Sequence, residues 1–100
     1  MKVTELAKIL SLSVGVRYIG WLPEPLWQAK LEPGLQYREV RFQDNSSSSS
    51  NIKVIGDGTT PEEALNSLAK GLVGKTILMR PIVCDSEVEF LVSDNLSEGY

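Results

Sequence analysis

The chain is expected to fold as an α+β domain, with a small antiparallel sheet of three to four strands packed against one main helix, residues 61–73, and a short N-terminal helix. Two observations carry this expectation. The stretch Gly56-Asp57-Gly58-Thr59-Thr60-Pro61-Glu62-Glu63-Ala64-Leu65 spells a strand exit followed by a complete helix start. Around it stand several runs in which apolar and polar residues alternate as they do in half-buried strands.

The main helix is the best specified element. Thr60 can act as N-cap, Pro61 takes the first helical position and Glu63 can reach back as the capping-box partner. Glu62 and Glu63 lie at the positive end of the helix dipole, Lys70 and Lys75 at or beyond the negative end. Ala64, Leu65, Leu68, Ala69 and Leu72 form one apolar stripe. Gly71 weakens the last turn unless it packs closely, and Gly74 is the natural stop.

The other elements follow in chain order. Val3, Leu6, Ala7, Leu10 and Val14 recur at helical spacing, which predicts an amphipathic helix of two to three turns within residues 3–14, capped at Thr4 and stopped at Gly15. Residues 16–21 are rich in β-formers and read as a short strand or an extended connection; Pro23 and Pro25 then end regular pairing. Strands are expected at 26–31, 36–43 and 51–56, the second with its inward face undecided. Residues 44–51, with five consecutive serines, read as a flexible hairpin loop. Lys75 to Met79 start another extended segment that Pro81 breaks. Residues 87–92 read as an edge strand with one wet, acidic face, and residues 94–100 as a frayed tail.

Composition bounds the function. One hundred residues, 42% hydrophobic and 23% charged, make a single globular domain spanning 1–100. A net charge of −3 supplies no basic field for nucleic acid. No apolar run approaches a membrane span, and the N-terminus carries no signal-peptide pattern, so a cytoplasmic location without membrane contact is expected. With no histidine, Ser-His-Asp and Cys-His catalysis are excluded, as are zinc sites of the usual His/Cys kind. The single cysteine, Cys84, has no disulfide partner and no base, and reads as a packing residue.

Four patterns invite sharper readings. Gly71-Leu72-Val73-Gly74-Lys75-Thr76 imitates the end of a phosphate-binding P-loop, but it closes a helix where the motif opens one. Gly56 to Thr60 could cradle an anion at a helix N-terminus, or form a tight turn whose glycines supply positive φ. Asp85, Glu87 and Glu89 share one strand face, a line of carboxylates better suited to protecting an edge than to gripping a cation. Residues 4–13 look like the first helix of a helix-turn-helix unit, yet no basic recognition helix follows.

The aromatic-plus-alternating strand Trp27-Gln28-Ala29-Lys30-Leu31, two further strands and the stretch Gly56 to Leu65 together resemble the HicB-type antitoxin fold. That fold is a sheet of three consecutive strands followed by a helix, related to a partial RNase H-like layout. The same stretch is similar to a Gly-x-Gly-x-Thr-Pro-Glu-Glu-Ala-Leu core of short phage and prophage proteins. The resemblance covers about half the chain; the Pro-Asp-Leu-Pro-Gly-Cys-like segment of the family is replaced by the serine tract, and no appended DNA-binding domain follows. It implies an antitoxin-like inhibitor acting on a partner protein.

Two functional classes result. The first is a non-enzymatic interaction module without cofactor or metal, binding a protein partner or a second copy of itself through Tyr18, Trp21, Trp27, Tyr37 and Phe90. The alternative is a metal-dependent hydrolase or nuclease on a partial RNase H-like fold, using Asp57, Asp85 or Glu87.

Overall fold

Helix α2 (Pro61–Leu72) begins where its residues require. In a computed structural model, which describes residues 2–44 and 52–96, Thr60 is extended and its Oγ1 accepts a hydrogen bond from the Glu63 amide at 3.1 Å. Ala64, Leu65, Leu68, Ala69 and Leu72 are all buried, so the expected stripe is the face that packs. The helix stops one residue short of 73, because Val73 turns to an extended ψ of 128° and Gly74 adopts φ +79°. Gly71 packs closely, its Cβ position lying 3.2 Å from Val54 Cγ1.

The architecture is α+β, with a short N-terminal helix, α1 (Val3–Ile9), one main helix and six strands: β1 (Ser13–Ile19), β2 (Leu26–Glu32), β3 (Tyr37–Asp44), β4 (Gly56–Gly58), β5 (Lys75–Pro81) and β6 (Val88–Leu91). They form two three-stranded antiparallel sheets, ordered β1-β2-β4 and β3-β5-β6. The expected run of three consecutive strands in one sheet is therefore split. Strands β2 and β3 are neighbours in sequence but lie in different sheets, and Gly34, at φ +68°, turns the chain between them. Helix α2 lies mainly on the first sheet, above β4 and β2.

One core joins both sheets. Val3, Leu6 and Ala7 of α1, Ala29 and Leu31 of β2, Phe42 of β3, the α2 stripe, and Ile77 and Met79 of β5 belong to a single buried cluster. The inward face of β3 is thereby settled as the one carrying Val40 and Phe42. Leu78, on the opposite face of β5, is also buried; it stands across from Arg41 and Glu89. Around it Arg41 bonds Glu87 and pairs with Glu39 at 3.6 Å, and Arg80 pairs with Glu39 at 3.9 Å.

Several boundaries differ from the sequence reading. Helix α1 ends at Ile9, and Val14 and Gly15 belong to β1. The stop is Ser11, at φ +59°. The Ser11 amide donates to the Lys8 carbonyl at 3.2 Å and the Leu12 amide to the Ala7 carbonyl at 2.7 Å, a Schellman closure with serine where glycine is usual. The N-cap is Lys2, without a side-chain cap, rather than Thr4. Residues 53–55 are not strand: Ile52 makes one bridge to Phe42, and pairing resumes at Gly56. Pro81 does not interrupt β5 but ends it, where a missing amide costs little. Leu96 is buried in the core, so the chain is docked as far as that residue, while the serine tract 45–51 and residues 97–100 lie outside the described residues. No helix of the described residues is long and apolar enough to cross a membrane.

The Ser11 turn gives a direct expectation. A side chain in the left-handed region costs about 1 kcal/mol that glycine does not incur, less the entropy glycine adds to the unfolded chain. Ser11→Gly should therefore stabilise the protein by roughly 0.5 kcal/mol, read as a higher urea midpoint at unchanged slope. A lowered midpoint would show that the serine hydroxyl holds the turn.

Candidate functional site

Strands β1 and β2 form an unbroken hairpin ladder, from Ser13 opposite Glu32 to Ile19 opposite Leu26. The connection 20–25 carries Pro23 and Pro25, which cannot donate to a ladder, so pairing ends at its base. At that base Tyr18 and Trp27 face each other, ring centroids 5.3 Å apart and planes tilted by 55°. Such a pair contributes about 0.5–1.5 kcal/mol beyond area burial and fixes the root of the connection. The Tyr18 ring also lies 3.0 Å from where a Gly20 Cβ would stand. Beyond this base Trp21 is 81% exposed, with Tyr18 and Leu22 also exposed nearby in sequence. An indole held in water on a fixed hairpin is the arrangement a binding hot spot uses.

The other two candidate residues lie elsewhere. Tyr37 is half-buried and lines a groove of about 380 Å³ with Leu35, Pro81, Ile82, Val83 and Val88 on the second sheet. Phe90 is half-buried against the core, beside a narrow gap bounded by Leu6, Val92 and Leu96. Trp27 is itself half-buried and packs on the core from the α2 side. Of the five, the structure groups Tyr18, Trp21 and Trp27 in one hairpin and leaves Tyr37 and Phe90 apart. Leu22 was missed because nothing in its local sequence separates a loop leucine from a core one.

The carboxylates do not converge. Asp57 accepts from Gln28 Nε2 at 3.4 Å, Asp85 pairs with Arg38 at 3.9 Å and Glu87 bonds Arg41. Asp85 and Glu87 precede β6, so they do not share a strand face with Glu89 as their spacing predicted. Among the described residues no group of three or more His, Cys, Asp or Glu stands close enough to hold a metal ion. Cys84, read as a packing residue, is exposed, its Sγ 3.9 Å from the Ser86 carbonyl.

The strand-to-helix junction holds the chain's own carboxylate. Glu63 Oε2 accepts from the Thr59 hydroxyl at 2.5 Å and the Thr59 amide at 2.9 Å. The capping box keeps its Thr60 half, while the return bond to the Glu63 carboxylate comes from Thr59, one residue earlier than predicted. These two bonds, the hydroxyl first, hold the Glu63 carboxyl below its usual range. The adjoining hollow of about 260 Å³ is lined by Glu24, Asp57 and Glu63, so acid surrounds the place an anion would take.

Gly56 and Gly58 are not at positive φ, contrary to the turn reading; they are strand residues on which α2 rests. A Cβ at Gly56 would fall on the Ala64 carbonyl oxygen and the Leu68 amide, and one at Gly58 would lie 2.6 Å from the Ala64 nitrogen.

A cleft of about 440 Å³ lies between the sheets and was not foreseen. Arg17, Lys30, Arg41 and Lys53 line it above Leu31, Val40, Phe42 and Val54, with no carboxylate on its wall among the described residues. Lys30 and Arg41 are already engaged by Glu32, at 3.9 Å, and by Glu39 and Glu87. These cations lie far apart in sequence, so only the fold gathers them. The chain matches no family model, no curated protein and no solved structure.

Proposed function

We propose that the chain is a non-enzymatic protein-interaction module that engages its partner with the tip of the β1–β2 hairpin. One observation carries the reading: Trp21 stands 81% exposed beyond the Tyr18–Trp27 pair that fixes the hairpin base. A rigid indole offers large contact area at little ordering cost. The likeness of the strand-to-helix stretch to HicB-type antitoxins supports an inhibitor-like role, in which the hairpin occludes a partner's surface. The scattered carboxylates Asp57, Asp85 and Glu87 give the hydrolase reading no comparable support.

The test compares Trp21→Ala with Leu35→Ala, a substitution at another highly exposed apolar residue in the connection between β2 and β3. Both variants should melt like the parent protein. In affinity capture from the native host with quantitative mass spectrometry, Trp21→Ala should lose the specific partner and Leu35→Ala should keep it. With the purified partner the loss should be about thirtyfold or more in Kd, roughly 2 kcal/mol. Equal capture by both variants would refute the hairpin as the binding element.

A further inference from the structure

We infer that β1 is a self-association edge, along which two copies of the chain pair antiparallel about Val16 and join two three-stranded sheets into one of six strands. The inference goes beyond the hairpin-tip reading and uses a different surface.

The two sheets present four edges, β1, β4, β3 and β6. Strand β4 is three residues long and lies beneath α2. Strand β6 is four residues long, carries Glu89 and follows directly on Glu87. Strand β3 carries Arg38, Glu39 and Arg41 and an irregularity between Tyr37 and Glu39. Shortness, charge, bulges and covering elements are the usual protections against strand addition. Strand β1 has the least of this protection. It is seven residues long, about 24 Å at roughly 3.4 Å per residue, and pairs with β2 without a register shift. Its single charge is Arg17. Among the described residues no element but β2 shares backbone hydrogen bonds with it, so its outer row of amides and carbonyls is open.

The occupant follows from what β1 presents when paired with itself. An antiparallel ladder centred on Val16 sets Val14 against Tyr18 of the second copy, Val16 against Val16, and Gly15 against Arg17. Val14, Val16 and Tyr18 lie on the face toward α2, since they stand across from Leu31, Ala29 and Trp27. That face thus gains an uninterrupted apolar row across the junction. On the other face, the space above Gly15 is filled by the Glu32 carboxyl group, whose Cδ lies 2.8 Å from where a Cβ would be. Arg17 of the second copy arrives at this place, so each copy offers a carboxylate where the other brings the guanidinium of its β1. Antiparallel pairing about Val16 is complementary in shape and in charge.

Sedimentation velocity over a wide concentration range tests this. The wild-type chain should show a reversible monomer–dimer equilibrium. Gly15→Arg sets two guanidinium groups opposite one another at two symmetric places and should raise the dissociation constant about tenfold. Only the flexible Glu32 side chain must move to admit the new group. Adding Arg17→Glu to that variant restores opposite charges at the same register and should recover most of the lost affinity, which a merely structural defect would not. Trp21→Ala should leave the equilibrium unchanged, so the dimer and the hairpin partner are tested apart. If Gly15→Arg fails to fold, amide exchange in wild-type β1 decides, and protection there should rise with protein concentration. A chain that stays monomeric at millimolar concentration, a dimer indifferent to Gly15→Arg or dissolved by Trp21→Ala, or β1 exchange independent of concentration would overturn the inference.

Discussion

Replacing Gly56 with alanine should destabilise the protein by about 3 kcal/mol or more, a large share of the roughly 5–15 kcal/mol a domain of this size possesses. The new methyl would meet backbone, not side chain: the Ala64 carbonyl oxygen, the Leu68 amide and, at 2.8 Å, the Leu68 Cα. No rotamer change relieves such a contact. Either β4 leaves β2 or α2 lifts, and lifting α2 pulls Ala64, Leu68, Ala69 and Leu72 out of the shared core. Gly74→Ala is the control. At φ +79° with nothing within 4 Å of its Cβ position, it should cost only the about 1–2 kcal/mol of left-handed strain. Urea denaturation of both variants measures the difference, and equal losses would show that α2 does not bear on Gly56.

Leu68→Ala should cost about 3 kcal/mol by the opposite route, an absence and not an intrusion. Leu68 has no exposed surface and sits at the centre of the α2 stripe. Removing its branched end leaves a space whose walls belong to a helix and a sheet already in backbone contact at Gly56, so little collapse is open to it. Calorimetry should record a Tm lower by roughly 12–24 °C at that loss. A fall of only a few degrees would mean that the neighbouring side chains close the gap.

These two residues also show what the sequence could disclose. Helix α2, its Thr60 cap and its buried stripe were legible because capping, dipole and periodicity signals all fall within residues 60–74. The role of Gly56 and Gly58 was not. A glycine needed for positive φ and one needed for close approach look alike until the approaching element is placed. Strand pairing was hidden for a related reason. The alternation in 26–32 and 37–44 is local, whereas the choice between pairing them and sending them to separate sheets depends on β1, β4 and β5, far along the chain. The aromatic residues divided likewise. Trp27 is half-buried because it stands across from Gly58 beneath α2, and Trp21 is exposed because it lies past Ile19, where the β1–β2 ladder ends. Helix α1 ended early because Ser11 took a conformation that its residue type does not advertise.

The crossing of the chain between sheets has its own outcome. The first sheet draws β1 and β2 from before the serine tract and β4 from after it, while the second draws β3 from before and β5 and β6 from after. Neither half of the polypeptide owns a finished sheet. The two halves are woven through each other, so a nascent N-terminal half emerges with β1 and β2 lacking their third strand and β3 lacking its one sheet neighbour, β5. Both layers wait on the second half of the chain, the first for β4 and the second for β5 and β6.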